Sequence, residues 1–525
     1  MNNSNKKAYL VGGGIGSLAA AAFMIRDGGM TGNNITIFEA APVPGGSLDG
    51  GGSAETGYSM RGGRMLTTDN YECTWALFKS IPSLEHAGKT VYDETIDFNE
   101  RMHSHSQARL IDRNRHIVDV ASMGFTMADR TELLALTDAS EEKLGISPIT
   151  DWLSPDFFTT TFWQMWSTTF AFQPWHSAVE FRRYLHRFMK EFSRIETLAG
   201  IKRTVYNQYD SLVCPIAGWL QEQGVQFRYG CTVNDFVLET ESGKVVVTGI
   251  KYSESGKDET VAVGKDDIVI LQNGSMTDAS SFGTMTSAPK RLTKDNNGGW
   301  ALWEKLAAGR PEFGNPAAFN SSIPESYWPS FTVTLKDTVF FDKMEALSGN
   351  KAGTGGLVTF KDSNWYMSVV LAYQPHYANQ PKDVQVFWGY ALHADRIGDF
   401  VAKPMSDCTG EEILRELCGL LNFDYDETFA NANNIPCRMP YITSMFMPRS
   451  PTDRPLPVPE CSKNLAFVSQ FVEIPEAVVF TVEFSVRVAQ IAVYQLLDIE
   501  QEIPPINHYD KSIKVKFDAV IKAFA

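Results

Sequence analysis

The chain has 525 residues, 43% of them hydrophobic and 21% charged, and a net charge of −15 from 47 Lys and Arg against 62 Asp and Glu. That length predicts two or three domains with a large core, and the acidic surplus excludes sequence-nonspecific nucleic-acid binding, which needs a basic footprint. Seven scattered cysteines, odd in number and without CxxC spacing, speak against a disulfide framework or structural zinc and fit a reducing cytoplasm.

Residues 1–7 are polar and run straight into an apolar strand, so no signal peptide is expected. No apolar run reaches the roughly 18 residues of a membrane span. Residues 8–11 (AYLV) predict a short buried strand, followed by Gly12-Gly13-Gly14-Ile15-Gly16-Ser17 and then LAAAAFMIRDG, a helix of strong formers. Residues 34–39 (NITIFE) predict the next strand, β-branched and ending on Glu39. This is the βαβ opening of a doubly wound fold. Residues 42–63 are rich in glycine, with tight GG pairs beside Arg61 and Arg64 that a disordered linker rarely carries. Residues 126–200 read as mostly helical and aromatic, and residues 212–225 as an amphipathic helix. Residues 226–270 alternate as strands, with turns near Ser242-Gly243 and Ser255-Gly256. A mixed region at 290–430 predicts an antiparallel sheet from FTVTL, TVFF, GLVTF, WYMSVVLAY and VQVFWGYAL. A late strand at 465–472 leads into the helix TVEFSVRVAQIAVYQLL.

Gly12 and Gly14 fill the first two positions of GxGxxG, with Ser17 at the third and Gly16 one place early. Glycine is needed there because a Cβ blocks the approach of the backbone to a pyrophosphate, which the helix N-terminus holds through free N–H groups and its dipole. Glu39, about 20 residues on, is placed to accept hydrogen bonds from ribose hydroxyls and to repel a 2′-phosphate. Three further segments favour FAD over NAD. Residues 227–233 end on the small β-branched Val233, where a backbone passes an adenine. Asn273-Gly274-Ser275 closes a middle strand, and the late strand with Phe471 fits the closing segment beside a flavin ring.

The motifs GGSLDGGG (45–52), RGGR (61–64), FAFQPWHSAVEFRRY (170–184), YNQYDS (206–211), PYITSMFMPR (440–449) and FVEIPEAVVFTVEFSVR (471–487) resemble the oleate hydratases, also known as the myosin-cross-reactive antigen family, from about residue 8 to about residue 500. The resemblance implies an FAD protein that adds water across the cis-9 double bond of free fatty acids to give a 10-hydroxy product. No net electron transfer occurs, and the flavin works best when reduced. It implies cofactor contacts from Gly12, Gly14, Gly16, Ser17, Glu39, Gly45, Gly46, Ser47, Gly62, Gly63, Arg64, Val233, Asn273, Ser275 and Phe471. The family's alkene-protonating tyrosine is carried to Tyr184, with Tyr206 and Tyr209 as runners-up; the other reading of Tyr184 is a core residue on an apolar helix face.

Two positions depart from the family. Many members have Glu after RGGR to position water, and this chain has Met65, which cannot accept a proton. Members often place Thr and Asn before the QPH segment to hold the carboxylate, and this chain reads Val370-Leu371-Ala372-Tyr373. Gln208 and His376 remain as substrate contacts. No metal site is expected. Two other functions stay open: a redox flavoenzyme, oxidase or desaturase, on the same fold, and a fatty-acid- or flavin-binding protein without catalysis.

The expected architecture is a discontinuous FAD-binding domain (1–125, 205–290 and 430–495), a helical aromatic region (126–204), a mixed sheet domain (291–429) and a C-terminal helical segment (496–525). Members often use an N-terminal extension to dimerise; the seven residues before the first strand here lead to the expectation of a monomer, with a homodimer left open. The segment 510–525 (DKSIKVKFDAVIKAFA) sets Lys511, Lys514, Lys516 and Lys522 among Ile, Val and Phe at partly helical spacing, a candidate for peripheral membrane contact.

Overall fold

The computed structural model describes residues 3–296 and 298–524. Five parallel strands form the first sheet: β1 (Ala8–Val11), β2 (Ile35–Glu39), β3 (Gln226–Tyr229), β4 (Ile268–Leu271) and β5 (Leu465–Phe467), in the order β5-β4-β1-β2-β3. The strands β1, β4 and β5 are short, continuous apolar runs, buried throughout, as parallel strands covered on both faces must be. Helix α1 (Ile15–Arg26) follows β1, and its run of alanines packs closely on the late helix α2 (Val482–Leu497). This is a doubly wound α/β fold, and the loop between β1 and α1 lies at the carboxyl end of the sheet where such folds bind ligands.

A seven-stranded sheet forms the second layer, in the order 281–282, 433–439, 328–335, 385–391, 367–370, 358–360 and 110–111, antiparallel except for its last pair. Its strands at 110–111, 281–282 and 433–439 come from outside residues 291–429, so the chain crosses between the layers more often than a simple insertion does. Two expectations need correction. The run TVFF is not a strand: Val339–Ser348 is a helix, because Phe340, Phe341 and Met344 recur at helical spacing and are all buried. The helix expected at 212–225 begins instead with a π-turn at Tyr209–Val213 and continues as Cys214–Glu222.

The glycine-rich stretch folds as a hairpin, Gly50–Ser53 against Gly57–Met60, whose second strand lies over the strand at 328–335. Tyr58 and Met60 donate their backbone N–H groups to the hydroxyls of Thr334 and Thr332 at 2.8 and 3.2 Å. The RGGR segment that follows is thereby delivered to the junction of the two sheets. Cys231–Glu241, Lys244–Glu254 and Lys257–Ala262 form a third, antiparallel sheet, with its turns at the expected Ser-Gly pairs.

Candidate active site

Two cavities take up the residues singled out in the sequence. The first is a cleft of about 1540 Å3 around the loop between β1 and α1, with Glu39, Gly45, Ser47, Val233 and Phe471 on its wall. Helix α1 starts at Gly14 with no side-chain cap and no acid in its first turn, which leaves its first N–H groups for an anion. A Cβ on Gly13 would lie 2.9 Å from Glu39 Oε2, and one on Gly14 would lie 2.6 Å from Gln272 Oε1. Gly12 (φ +92) and Gly45 (φ +116) adopt backbone conformations that favour glycine.

Glu39 accepts the backbone N–H groups of Gly13 and Ala41 at 2.6 and 2.7 Å, one on each carboxylate oxygen. Burial raises its pKa, and these two N–H groups oppose the rise. A carboxylate has about four acceptor positions, so lone pairs remain for a ribose diol. Arg61 pairs with Asp49 at 2.6 Å on the same wall. This constellation fits a dinucleotide: an uncapped helix start, a glycine floor and an anchored acid.

Some residues expected at the cofactor lie behind the wall. Gly16 and Ser17 do not line the cleft. Ser17, fully buried in the third glycine position, accepts a hydrogen bond from Gln272 Nε2 at 2.9 Å, while the same nitrogen donates to the Gly12 carbonyl. Gln272 thus ties the end of β4 to the loop, a role the sequence did not reveal although the residue directly follows a legible strand. Asn273 is also buried, and donates to the Phe471 carbonyl at 3.1 Å. Gly62 lines neither cavity.

The second cavity, of about 1150 Å3, brings Met65, Tyr184, Gln208 and His376 onto one wall, together with Gly63 and Arg64. Arg64 connects the two: its Nη2 donates to the carbonyl of Ser47, a residue of the first cleft, at 3.4 Å, and its guanidinium lies over the Phe480 ring. Burial lowers the Arg64 pKa to about 10, which leaves it protonated at neutral pH.

Tyr184 belongs to the helix Ala178–Arg187 and is almost fully buried. Its hydroxyl donates to the Val479 carbonyl at 2.6 Å. Phe170, Phe172, Phe188 and Phe446 surround its ring, with centroids 5.0–5.6 Å away. Burial pushes the phenol pKa well above its usual value, so the group stays protonated. The helix is fixed by a buried ion network: one turn before Tyr184, Glu180 meets Arg449 and Arg454 at 3.1 and 3.0 Å, and the adjacent Arg183 meets Glu473 at 2.8 Å. Glu473 begins the segment that carries Val479, so donor and acceptor are located by the same charges. Phe480, next to Val479, has φ +66, a conformation rare outside glycine.

The loop carrying Gln208 is latched to His376 by Asn207, whose N–H donates to the His376 carbonyl at 2.8 Å and whose Oδ1 accepts from Tyr209 N at 2.9 Å. Burial, then the charge of Arg203, lowers the His376 pKa to about 4, so the ring is neutral at physiological pH. Tyr206 lines the cavity and Tyr209 does not. The aromatic run at 157–175 divides: Thr168, Thr169 and Phe170 face the cavity, whereas Phe157, Trp163 and Trp166 pack in the core.

The MCRA family matches residues 5–494. The chain belongs to the MCRA family. It is 40% identical over 511 residues to an oleate hydratase from Streptococcus pyogenes serotype M49, covering 95% of this chain and 86% of that protein. It is 33% identical over 563 residues to a linoleate hydratase from Lactiplantibacillus plantarum, covering 99% and 98%. Among solved structures, cyclohexylamine oxidase from Brevibacterium oxydans superposes with a TM-score of 0.53 at 12% identity, covering 94% of this chain and 99% of that one. An oxidoreductase from Methanosarcina mazei gives 0.51 at 12% identity, covering 93% and 100%. At that identity the two structures share the MCRA chain's fold, and its family rests on the sequence relatives.

Proposed function

We propose that this chain is an FAD-dependent hydratase of unsaturated fatty acids, converting oleate to 10-hydroxystearate. The observation that carries the reading is one cavity, without a carboxylate on its wall, that gathers Tyr184, Gln208 and His376 and meets the dinucleotide cleft through Arg64. The family relatives named as oleate and linoleate hydratases support the same chemistry. Glu39, Arg61 and the glycine loop would hold FAD, which would not be needed as a net electron acceptor because hydration leaves the substrate's overall oxidation level unchanged; the reduced form is the expected working state.

In this reading Tyr184 donates its phenolic proton to C9 of the alkene, and positive charge develops at C10. Aromatic faces such as Phe170 and Phe188 stabilise that charge and exclude bulk water. One water adds at C10, and the proton it releases returns to Tyr184, so atoms and charge balance. The phenol proton now points at the Val479 carbonyl, so this hydrogen bond must break before transfer. Met65 holds no proton and cannot take one from the attacking water.

The C-terminal helix Ile513–Phe524 supports a peripheral membrane contact. Ile513, Phe517, Val520, Ile521 and Phe524 are all exposed and recur at helical spacing, while Lys522 pairs with Glu196 and Arg130 donates to the Ala523 carbonyl at 2.8 Å. The helix is held to the protein by these polar contacts and by Ala519 and Ala523 packed on the core, while its large apolar side chains are exposed. No helix among the described residues is long and apolar enough to cross a membrane.

Turnover of oleate by the FAD-loaded protein in an oxygen-electrode cell tests the function. Formation of 10-hydroxystearate with no oxygen uptake beyond that of an oleate-free control is expected. Oxygen uptake coupled to product would assign a redox flavoenzyme instead.

A further inference from the structure

The wall of the Tyr184 cavity carries formal charge of one sign only, from Arg64 and Arg203, with no Asp or Glu on it. Arg64 has company: it lies over Phe480, and the charge of Asp49 acts on it. Arg203 has no ion-pair partner among the described residues. Its Nη2 donates to the Gly355 carbonyl at 2.5 Å, and its Nε is buried with no partner. Burial pushes its pKa down to about 10, with no acid acting against the shift, and the guanidinium is still charged at neutral pH.

The backbone holds Arg203 in place whether or not a ligand is bound. Asn99 Oδ1 accepts the Arg203 N–H at 3.0 Å, and Asn99 Nδ2 donates to the Arg203 carbonyl at 2.7 Å. The preceding residue, Lys202, exchanges backbone hydrogen bonds of 2.7 and 3.0 Å with Leu66, the neighbour of Met65. His376 feels the Arg203 charge, and its Nε2 is likewise buried without a partner. A cation taken out of water without a counter-ion is costly. A cavity whose wall carries this cation beside Arg64, has no acid and is otherwise largely apolar is complementary to a long hydrocarbon chain ending in an anion.

We propose that Arg203 recognises the carboxylate of the fatty acid, with His376 as its hydrogen-bonding neighbour, and so restricts this site to free acids over their neutral analogues. The inference rests on the fatty-acid reading of the cavity. It accounts for the side chains at Val370 and Ala372, both on the wall, which offer no hydrogen bond where relatives often carry Thr and Asn. A fixed guanidinium supplies the charge that those neutral polar groups lack, and does so without ordering itself on binding.

The test compares oleate with oleyl alcohol, which has the same chain and double bond but no charge. The FAD-loaded wild type, R203Q and R203K are assayed for kcat/KM on both and for binding of both by calorimetry. For wild type, oleate is the better ligand. In R203Q the ratio of kcat/KM for oleate over oleyl alcohol falls about tenfold to a hundredfold, the scale of a lost hydrogen bond to a charged group, mainly through KM. R203K keeps part of the preference, because it keeps the charge and loses the fork geometry. An unchanged ratio in an R203Q protein that retains FAD and its thermal midpoint overturns the proposal. If R203Q does not fold, R203K decides: a wild-type ratio there overturns it. If wild type hydrates neither compound, the hydratase reading falls, and calorimetry alone decides on Arg203: loss of the oleate preference on substitution supports it, and retention overturns it. If wild type binds neither compound, both readings fall.

Discussion

Replacing Tyr184 with Phe removes one oxygen from the centre of the proposed site and leaves the ring packing in place. The lost oxygen has two jobs. As proton donor to the alkene it contributes about 10²- to 10⁴-fold in rate, the range for a positioned general acid. As donor to the Val479 carbonyl at 2.6 Å it satisfies a buried acceptor, and stranding such a group costs about 1–3 kcal/mol. The expected variant is therefore folded and slightly less stable, melting lower by no more than about 4 °C per kcal/mol. Because Phe170, Phe172, Phe188 and Phe446 still enclose the ring, oleate binding changes little and the loss falls on kcat. Initial rates by gas chromatography–mass spectrometry, read beside a thermal melt and the bound-flavin spectrum, separate the two effects. Near wild-type turnover by a folded, flavin-loaded Y184F would refute the assignment of the acid.

Four other outcomes follow from the same geometry. Gly13→Ala puts a methyl group against Glu39 Oε2 at 2.9 Å and Cβ at 3.2 Å; strain of about 1–3 kcal/mol weakens FAD binding by roughly one to two orders of magnitude, and an unchanged affinity in a flavin titration removes the cleft from consideration. Met65→Ala keeps kcat within about tenfold, because a thioether does no proton chemistry; a loss as large as that of Y184F would assign Met65 a catalytic role. His376 and His176 are held neutral by burial, with pKa values lowered from 6.5 to about 4 and about 3. The unfolded chain therefore takes up protons that the folded one refuses, and stability falls as pH drops from 6.5 towards 4 and 3; chemical denaturation at pH 7 and pH 4.5 checks the sign, and a flat profile contradicts it. Deleting residues 510–525 lowers binding to liposomes without lowering turnover of dispersed oleate; unchanged sedimentation with liposomes excludes the C-terminal helix as the contact.

Much of the dinucleotide half was legible, because its signals are local. Strand, glycine loop, helix and Glu39 follow one another within one βαβ unit, and each demands a particular residue type at a fixed spacing. The second sheet was only partly legible. Its strands at 110–111 and 281–282 are two residues each, too short to show any alternation, and the run at 338–341 is apolar in a way that suits strand or helix until Met344 is counted. The substrate cavity draws on segments far apart in sequence, so no spacing rule could assemble it. Family motifs pointed to Tyr184, Gln208 and His376, but Arg203 sits just before YNQY and reads as an ordinary surface cation until its surroundings show that no acid accompanies it. Asn207 and Gln272 were invisible for a related reason: their partners lie on other segments, at His376 and at Gly12 with Ser17.

The central claim is that water adds to the alkene with no redox step, and isotopes test it most directly. The FAD-loaded protein, with its flavin reduced, is incubated with oleate under anaerobic conditions in water enriched in ¹⁸O and deuterium, and the product is examined by mass spectrometry. The account predicts 10-hydroxystearate carrying one solvent oxygen at C10 and one carbon-bound solvent deuterium at C9. A product that forms only when oxygen is admitted, or one whose new oxygen comes from O2, would contradict it.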